Sequence, residues 1–356
     1  MKIFLLADYY QAYLNDFYAS HKTEGLFYEQ HQKLLFDDYF GSYVSYYNHL
    51  KKRGHDTRLV IGNDTLLQNK WLVERGFKRT ALSKYDVVLK QLEEFNPNVF
   101  FIGSMFDYYG RFLEKVSRIT PNIFAWIACP YNDKLDLSHI RCIVSSNDEF
   151  VERFRKIGMN SELLRVAFDS EIVPLLDNRK TIDVSFIGGL SKKTHRIRVE
   201  GLEFLLESGI DIKTFGYGLK RLLLPFGKAS LWKSYGGERW GVEMYRTLNR
   251  SRMSLNFHID AAQGMSGNMR LFEATGCGTL LMTERAINLN ELFREGTEVV
   301  AYDGLSDLVD KINYYLVHNA EREKIARAGQ VACLERHSYA TRIIQLENIL
   351  RKYLYR

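Results

Sequence analysis

Residues 256–283 read NFHIDAAQGMSGNMRLFEATGCGTLLMT. Met253, Leu255 and Phe257 alternate at its start, which predicts a short strand. A glycine-containing loop, residues 263–267, follows. Next comes a short helix carrying Arg270 and Glu273 three residues apart, on one face. Gly276 and Gly278 close that helix, and residues 279–283 predict the next buried strand.

The chemistry of this unit suits a nucleoside diphosphate. A helix start offers backbone N–H groups without intrahelical partners and a partial positive charge, so Gly267 and Asn268 stand where a diphosphate would rest. Arg270, one turn in, adds forked donors to the same oxygens. A carboxylate cannot bind phosphate, but Glu273 can accept hydrogen bonds from two ribose hydroxyls. On spacing alone, a local surface pair between Arg270 and Glu273, worth about 0.2–0.5 kcal/mol, fits equally well.

The phrase RLFEATGCGTLLMTE, residues 270–284, resembles the donor-sugar site of GT-B glycosyltransferases. It resembles in particular the spore-maturation, CgeB-like branch of the group 1 enzymes. The resemblance covers residues 180–340 well and the first half only in coarse pattern. It implies an α/β fold of two Rossmann-like, doubly wound domains facing each other across a cleft, with a C-terminal helix crossing back onto the first. It also implies a nucleotide role for Arg270, Glu273, Gly276 and Gly278. Gly188, Gly189 and Arg196 follow a DVSFI strand with a basic loop, Gly216 and Tyr217 follow the next strand, and Glu298 stands in a Gly-x-Glu loop; the resemblance gives all of these donor contacts. Many relatives have a second glutamate eight residues before the ribose-binding one. Met265 stands there in this chain, so that glutamate's role does not transfer.

Composition agrees with two globular domains. The chain has 356 residues, 46% hydrophobic and 26% charged, more than one core comfortably holds. A net charge of +6 suits an anionic substrate, and no basic tail or cluster points to nucleic acid. The first apolar run is too short for a signal peptide or a membrane span, so the expectation is a cytoplasmic protein without a transmembrane segment, with peripheral membrane contact left open. Cys129, Cys142, Cys277 and Cys333 show no metal-ligand spacing, and there is no HExxH; no metal or cofactor is expected.

The first half reads as alternating strands and helices with short turns, the βαβ signature. Residues 2–7, 57–61, 98–103, 123–127 and 142–146 are its expected strands, and residues 11–39 read as an irregular aromatic segment. No GxGxxG follows the first strand, which argues against a nicotinamide dehydrogenase. Asp8, Ser104, Asp107 and Tyr131 fall after strand ends, where ligands of doubly wound sheets collect. Asp8 and Asp107 are candidate general bases for an acceptor hydroxyl, and His258 is a third catalytic candidate beside the donor.

The expected boundaries are an acceptor-binding domain at 1–172, a linker at 168–180, a donor-binding domain at 180–335, and a crossing helix at 336–356. Gly329 is expected to break the helix that starts near Asn319. Trp232, Tyr235 and Trp240 are candidates either to stack on a base or to pack the core. The expected activity is transfer of a sugar from a nucleoside diphosphate sugar to a hydroxyl of a glycan, protein or small molecule, without a metal. The alternatives are a non-catalytic nucleotide-sugar or glycan-binding protein and a sugar-nucleotide epimerase.

Overall fold

The computed structural model describes residues 1–78, 82–103, 105–132, 135–219, 229–257 and 265–354. Ser104, His258 and Asp260 lie outside the described residues. The chain forms two compact units, one of Met1–Arg165 with Tyr339–Arg356, the other of Val166–Ser338.

The first unit holds a six-stranded sheet in the order β2-β1-β3-β4-β5-β6. Its strands are β1 (Lys2–Ala7), β2 (Asp56–Ile61), β3 (Val99–Ile102), β4 (Ile123–Trp126), β5 (Cys142–Ser145) and β6 (Ser161–Leu163). Every pairing is parallel, with Leu6 opposite both Val60 and Ile102. Helices cover both faces of a sheet of this kind, so its strands are apolar without alternation. Ile3–Leu6 and Val99–Ile102 are accordingly wholly buried. Strand order reverses between β1 and β3, which opens a crevice at their carboxyl ends.

Two helices, Gln11–Ser20 and Tyr28–Phe36, occupy the segment that the sequence suggested was irregular. Aromatic spacing explains them: Tyr13 and Phe17 are one turn apart and both buried, and Tyr13 stacks on Phe40 at 3.7 Å. The final helix, Tyr339–Leu354, packs within this unit. There Glu347 accepts from Arg53 Nε at 2.6 Å and bonds to His55, Tyr353 donates to Glu162 at 2.6 Å, and Tyr339 meets Tyr46 edge-on.

The second unit holds a five-stranded parallel sheet in the order β11-β10-β9-β7-β8. Its strands are β7 (Ile182–Ile187), β8 (Ile212–Phe215), β9 (Ser251–Asn256), β10 (Leu280–Glu284) and β11 (Val300–Tyr302). Val184, Phe186, Met253, Leu255 and Leu280 join Val199, Leu202 and Leu205 of the helix Arg196–Glu207 in one buried core. Strand order reverses between β7 and β9.

Gly329 does not break its helix, which runs unbroken from Asn319 to Arg336. A Cβ on Gly329 would lie 2.3 Å from the Glu298 carbonyl oxygen. This glycine therefore permits close approach of helix and loop backbone, and that need outweighs the cost of about 1 kcal/mol of glycine inside a helix.

Candidate functional site

In the second unit, the loops after β7 and β8 meet at the end of the sheet. Gly188 N–H donates to the Phe215 carbonyl at 2.9 Å and Leu190 N–H to Tyr217 at 2.8 Å. Gly216 allows this: its φ is +144°, and a Cβ there would sit 1.7 Å from the Gly188 oxygen. Gly189 provides the seat for the His195 ring, which a Cβ would meet at 2.5 Å. Tyr217 stacks on Trp240 with ring centroids 5.8 Å apart.

Arg198 fills the crevice at the strand reversal. Its Nη1 donates to the Gly189 carbonyl at 3.3 Å and its Nη2 to Phe257 at 3.5 Å, so it spans the ends of β7 and β9. The guanidinium lies 5.4 Å from the Phe186 ring centre, and Nε is buried with no partner among the described residues. Burial holds Arg198 below the ordinary arginine range; Tyr217 offsets part of this, and the Arg270 charge adds to it. His195 is likewise held down, by burial and then by Arg198, and its buried Nδ1 has no partner among the described residues.

Arg270 and Glu273 stand on the helix Met269–Gly276. Arg270 Nη1 lies 2.9 Å from Glu273 Oε2, with side chains only 14% and 8% exposed, so this is not the loose surface pair that spacing alone allowed. Both terminal nitrogens of Arg270 also reach Met244 Sδ at 3.5 Å, while its Nε is buried and without a partner among the described residues. Burial pushes the Glu273 carboxyl up, and Arg270 pulls it part of the way back. Two guanidinium groups that repel each other thus share one end of the sheet, Arg198 desolvated and Arg270 set against Glu273. A bound anion would relieve both.

The remaining donor-side candidates take different places. Asn268 exchanges two hydrogen bonds with Asn256, at 3.1 and 2.7 Å, and Asn256 also donates to Thr283 at 3.0 Å. Its side chain thus ties the loop to β9 and β10. Gly267, with φ +146°, stands between Asn268 and Ser266, whose N–H and carbonyl are both bonded to the Asn288 amide. Arg196 is exposed and pairs with Glu200 at 3.1 Å. Glu298 is buried and accepts from Arg294 N–H and Nε, both at 2.8 Å, and from Arg336. Burial raises its pKa, the arginine bonds lower it by more, and the net is a carboxylate below the usual range.

Arg198 is the residue that sequence reading passes over in favour of Arg196. Helical spacing contains the clue: Arg198 is four residues before the buried Leu202, on the inward face, whereas Arg196 is four before exposed Glu200.

In the first unit, the two candidate carboxylates come together at the other strand reversal. Asp8 follows β1, Asp107 follows β3, and their side chains share a hydrogen bond. Tyr108 donates to Asp8 Oδ1 at 3.2 Å, and Lys84 Nζ lies 3.7 Å from Asp107 Oδ2. Burial, then the bond to Asp107, raises Asp8 to about 7, with Lys84 opposing. Among the described residues no group of three metal-ligating side chains occurs.

Two parallel doubly wound units, each with polar side chains at its strand reversal, define the GT-B class of α/β proteins. Residues 198–348 match the family described as "Glycosyl transferase-like", so the chain carries a glycosyltransferase domain that includes Arg198, Arg270 and Glu273. HepE of Anabaena, solved in complex with UDP-glucose, is similar in structure at TM-score 0.61 and 12% identity, over 99% of this chain and 100% of that one. A sucrose-phosphate synthase from Thermosynechococcus elongatus superposes at 0.59 with 8% identity, over 99% and 98%. A glycosyltransferase from Rickettsia africae superposes at 0.60 with 11% identity, also over 99% and 98%. No curated protein matches the chain in sequence. The fold is GT-B, and the domain matched at residues 198–348 is of the glycosyltransferase class. No helix among the described residues is long and apolar enough to cross a membrane.

Proposed function

We propose that the chain moves a sugar from a nucleoside diphosphate sugar to an acceptor hydroxyl, with the donor held on the second unit. One observation carries the reading: Arg198 and Arg270 stand half-buried and mutually repelling at the strand reversal of that unit, each with a buried Nε that has no hydrogen-bond partner among the described residues. As the bond from the anomeric carbon to the diphosphate breaks, negative charge grows on the phosphates. Prearranged guanidinium groups stabilise that charge with little reorganisation. Glu273 then takes the ribose hydroxyls, and the Tyr217–Trp240 stack offers the base a flat apolar surface.

The acceptor belongs to the first unit in this reading. Its hydroxyl oxygen bonds to the anomeric carbon and its proton passes to Asp8, whose value of about 7 suits a base at neutral pH. With positive charge supplied by arginines, turnover persists in the presence of a chelator.

A mass-spectrometric screen of UDP-, GDP- and dTDP-sugars against several acceptors tests the proposal, with UDP-glucose as the first donor because the Anabaena protein was solved with it. Glu273→Ala and Arg270→Ala should each lower kcat/KM roughly ten- to a hundredfold, since hydrogen bonds to charged groups are worth about 1.5–3 kcal/mol. Transfer that survives both substitutions unchanged refutes the assigned site.

A further inference from the structure

A second concentration of positive charge lies at the opposite end of the same sheet. A cavity of about 360 Å³ is lined by Lys180, Arg252, Gln330 and, from the helix Asn319–Arg336, Arg322, Glu323 and Arg327. Lys180 precedes β7 and Arg252 opens β9, so the cavity sits at the amino ends of strands whose carboxyl ends carry Arg198 and Arg270. Six residues of strand separate the two ends of β7, roughly 20 Å at about 3.3 Å per residue.

The charges here are poorly compensated. Arg322 is 3% exposed; its Nη1 donates to the Tyr315 carbonyl at 2.7 Å, and it pairs with the exposed Glu323 only at 3.7 Å. Arg252 pairs with Asp183 at 2.6 Å, and Arg327 has no ion-pair partner among the described residues. Lys180 directs its ammonium to the carbonyls of Asn249, Ser251 and Gly278, at 2.6, 3.0 and 2.9 Å, which accounts for its three protons but leaves its charge. Burial of that ammonium, with Arg322 adding to it, brings Lys180 down to about 8, and burial followed by the Arg252 charge lowers Arg322. Four cations and one carboxylate line a concave space of the size that holds a small ligand. Repulsion among desolvated cations is costly unless a counter-charge joins them.

We propose that this cavity is a second anion site, built for the phosphoryl group of a small phosphorylated molecule and separate from the donor diphosphate site. Arg327 and Arg252 supply forked donors, Arg322 forms the positively charged wall, and Gln330, which donates to the Gly276 carbonyl at 3.0 Å, fixes the rim. The rim thus touches the last residue of the Met269–Gly276 helix, the element that carries Arg270 and Glu273.

The test uses the full chain with Arg198→Ala and Arg270→Ala, so that the first site cannot account for binding. Calorimetric titration with inorganic phosphate and with glycerol 3-phosphate should show one site, weakened at least tenfold by adding Arg327→Glu or Arg252→Gln, both on exposed or half-exposed side chains. Binding unchanged by both substitutions overturns the proposal. So does the absence of heat with either probe, or binding confined to phosphatidic acid vesicles with no response to the free phosphates.

Discussion

Replacing Arg198 by methionine separates a binding arginine from a structural one. Methionine keeps an unbranched apolar stem and removes the charge that lies over the Phe186 ring. In the free protein the loss is small. The arginine's bonds to Gly189 and Phe257 are long, 3.3 and 3.5 Å, and its charge is held at a cost beside Arg270. Stability should therefore stay within about 1 kcal/mol of the parent, a few degrees in Tm for a domain of this size. Binding of a nucleoside diphosphate should fall by about 1.5–3 kcal/mol, or roughly ten- to a hundredfold in Kd. Arg196→Met is the matched control: its side chain is 76% exposed and its pair with Glu200 is worth about 0.3–0.5 kcal/mol, so affinity should not change measurably. Titration calorimetry with UDP and UDP-glucose, beside thermal melts, reads both quantities. An Arg198→Met variant that binds like the parent but melts far lower would show Arg198 to be only a brace between β7 and β9.

Glu298→Ala should destabilise the chain by about 1–3 kcal/mol with no matching loss of donor affinity, because Arg294 and Arg336 lose their shared acceptor. Its folded pKa lies below the ordinary glutamate value, so its contribution is present at neutral pH and disappears as pH falls through the lowered value; parent and variant melts should converge in acid. Asp8 has the opposite sign: raised to about 7, it favours the fold below the ordinary aspartate range, and that contribution is lost as pH rises toward 7. Asp8→Asn should accordingly raise Tm more at pH 8 than at pH 5 while abolishing a rise in kcat/KM centred near pH 7; an unchanged pH profile removes Asp8 as the base. Gly216→Ala should cost several kcal/mol or prevent folding of the second unit, since its Cβ would overlap the Gly188 oxygen at 1.7 Å; a chain that folds and melts normally contradicts the loop geometry.

Continuous apolar runs make the parallel strands legible, because a strand buried on both faces carries its burial in its own residue types. β1, β3, β4 and β5 fall within a residue or so of the sequence expectation. The helices Gln11–Ser20 and Thr65–Glu74 escape it. Phe40 packs the first and the helix Tyr28–Phe36 packs the second, partners distant in sequence. Gly329 misleads for the same reason: a glycine that ends a helix and one that admits a neighbouring backbone look alike until the neighbour is known.

Local sequence determined the α/β class and the helix with Arg270 and Glu273, because periodicity and i to i+3 spacing are properties of a few consecutive residues. It also nominated Asp8 and Asp107 by their places after strand ends. Only tertiary structure joined those two carboxylates, ninety-nine positions apart, at one strand reversal. It alone turned Arg198 inward, half-buried, and left Arg196 in water, and it closed Glu298 between two arginines. Strand order, desolvation and the meeting of like charges depend on residues far apart along the chain, and no window of adjacent residues contains them.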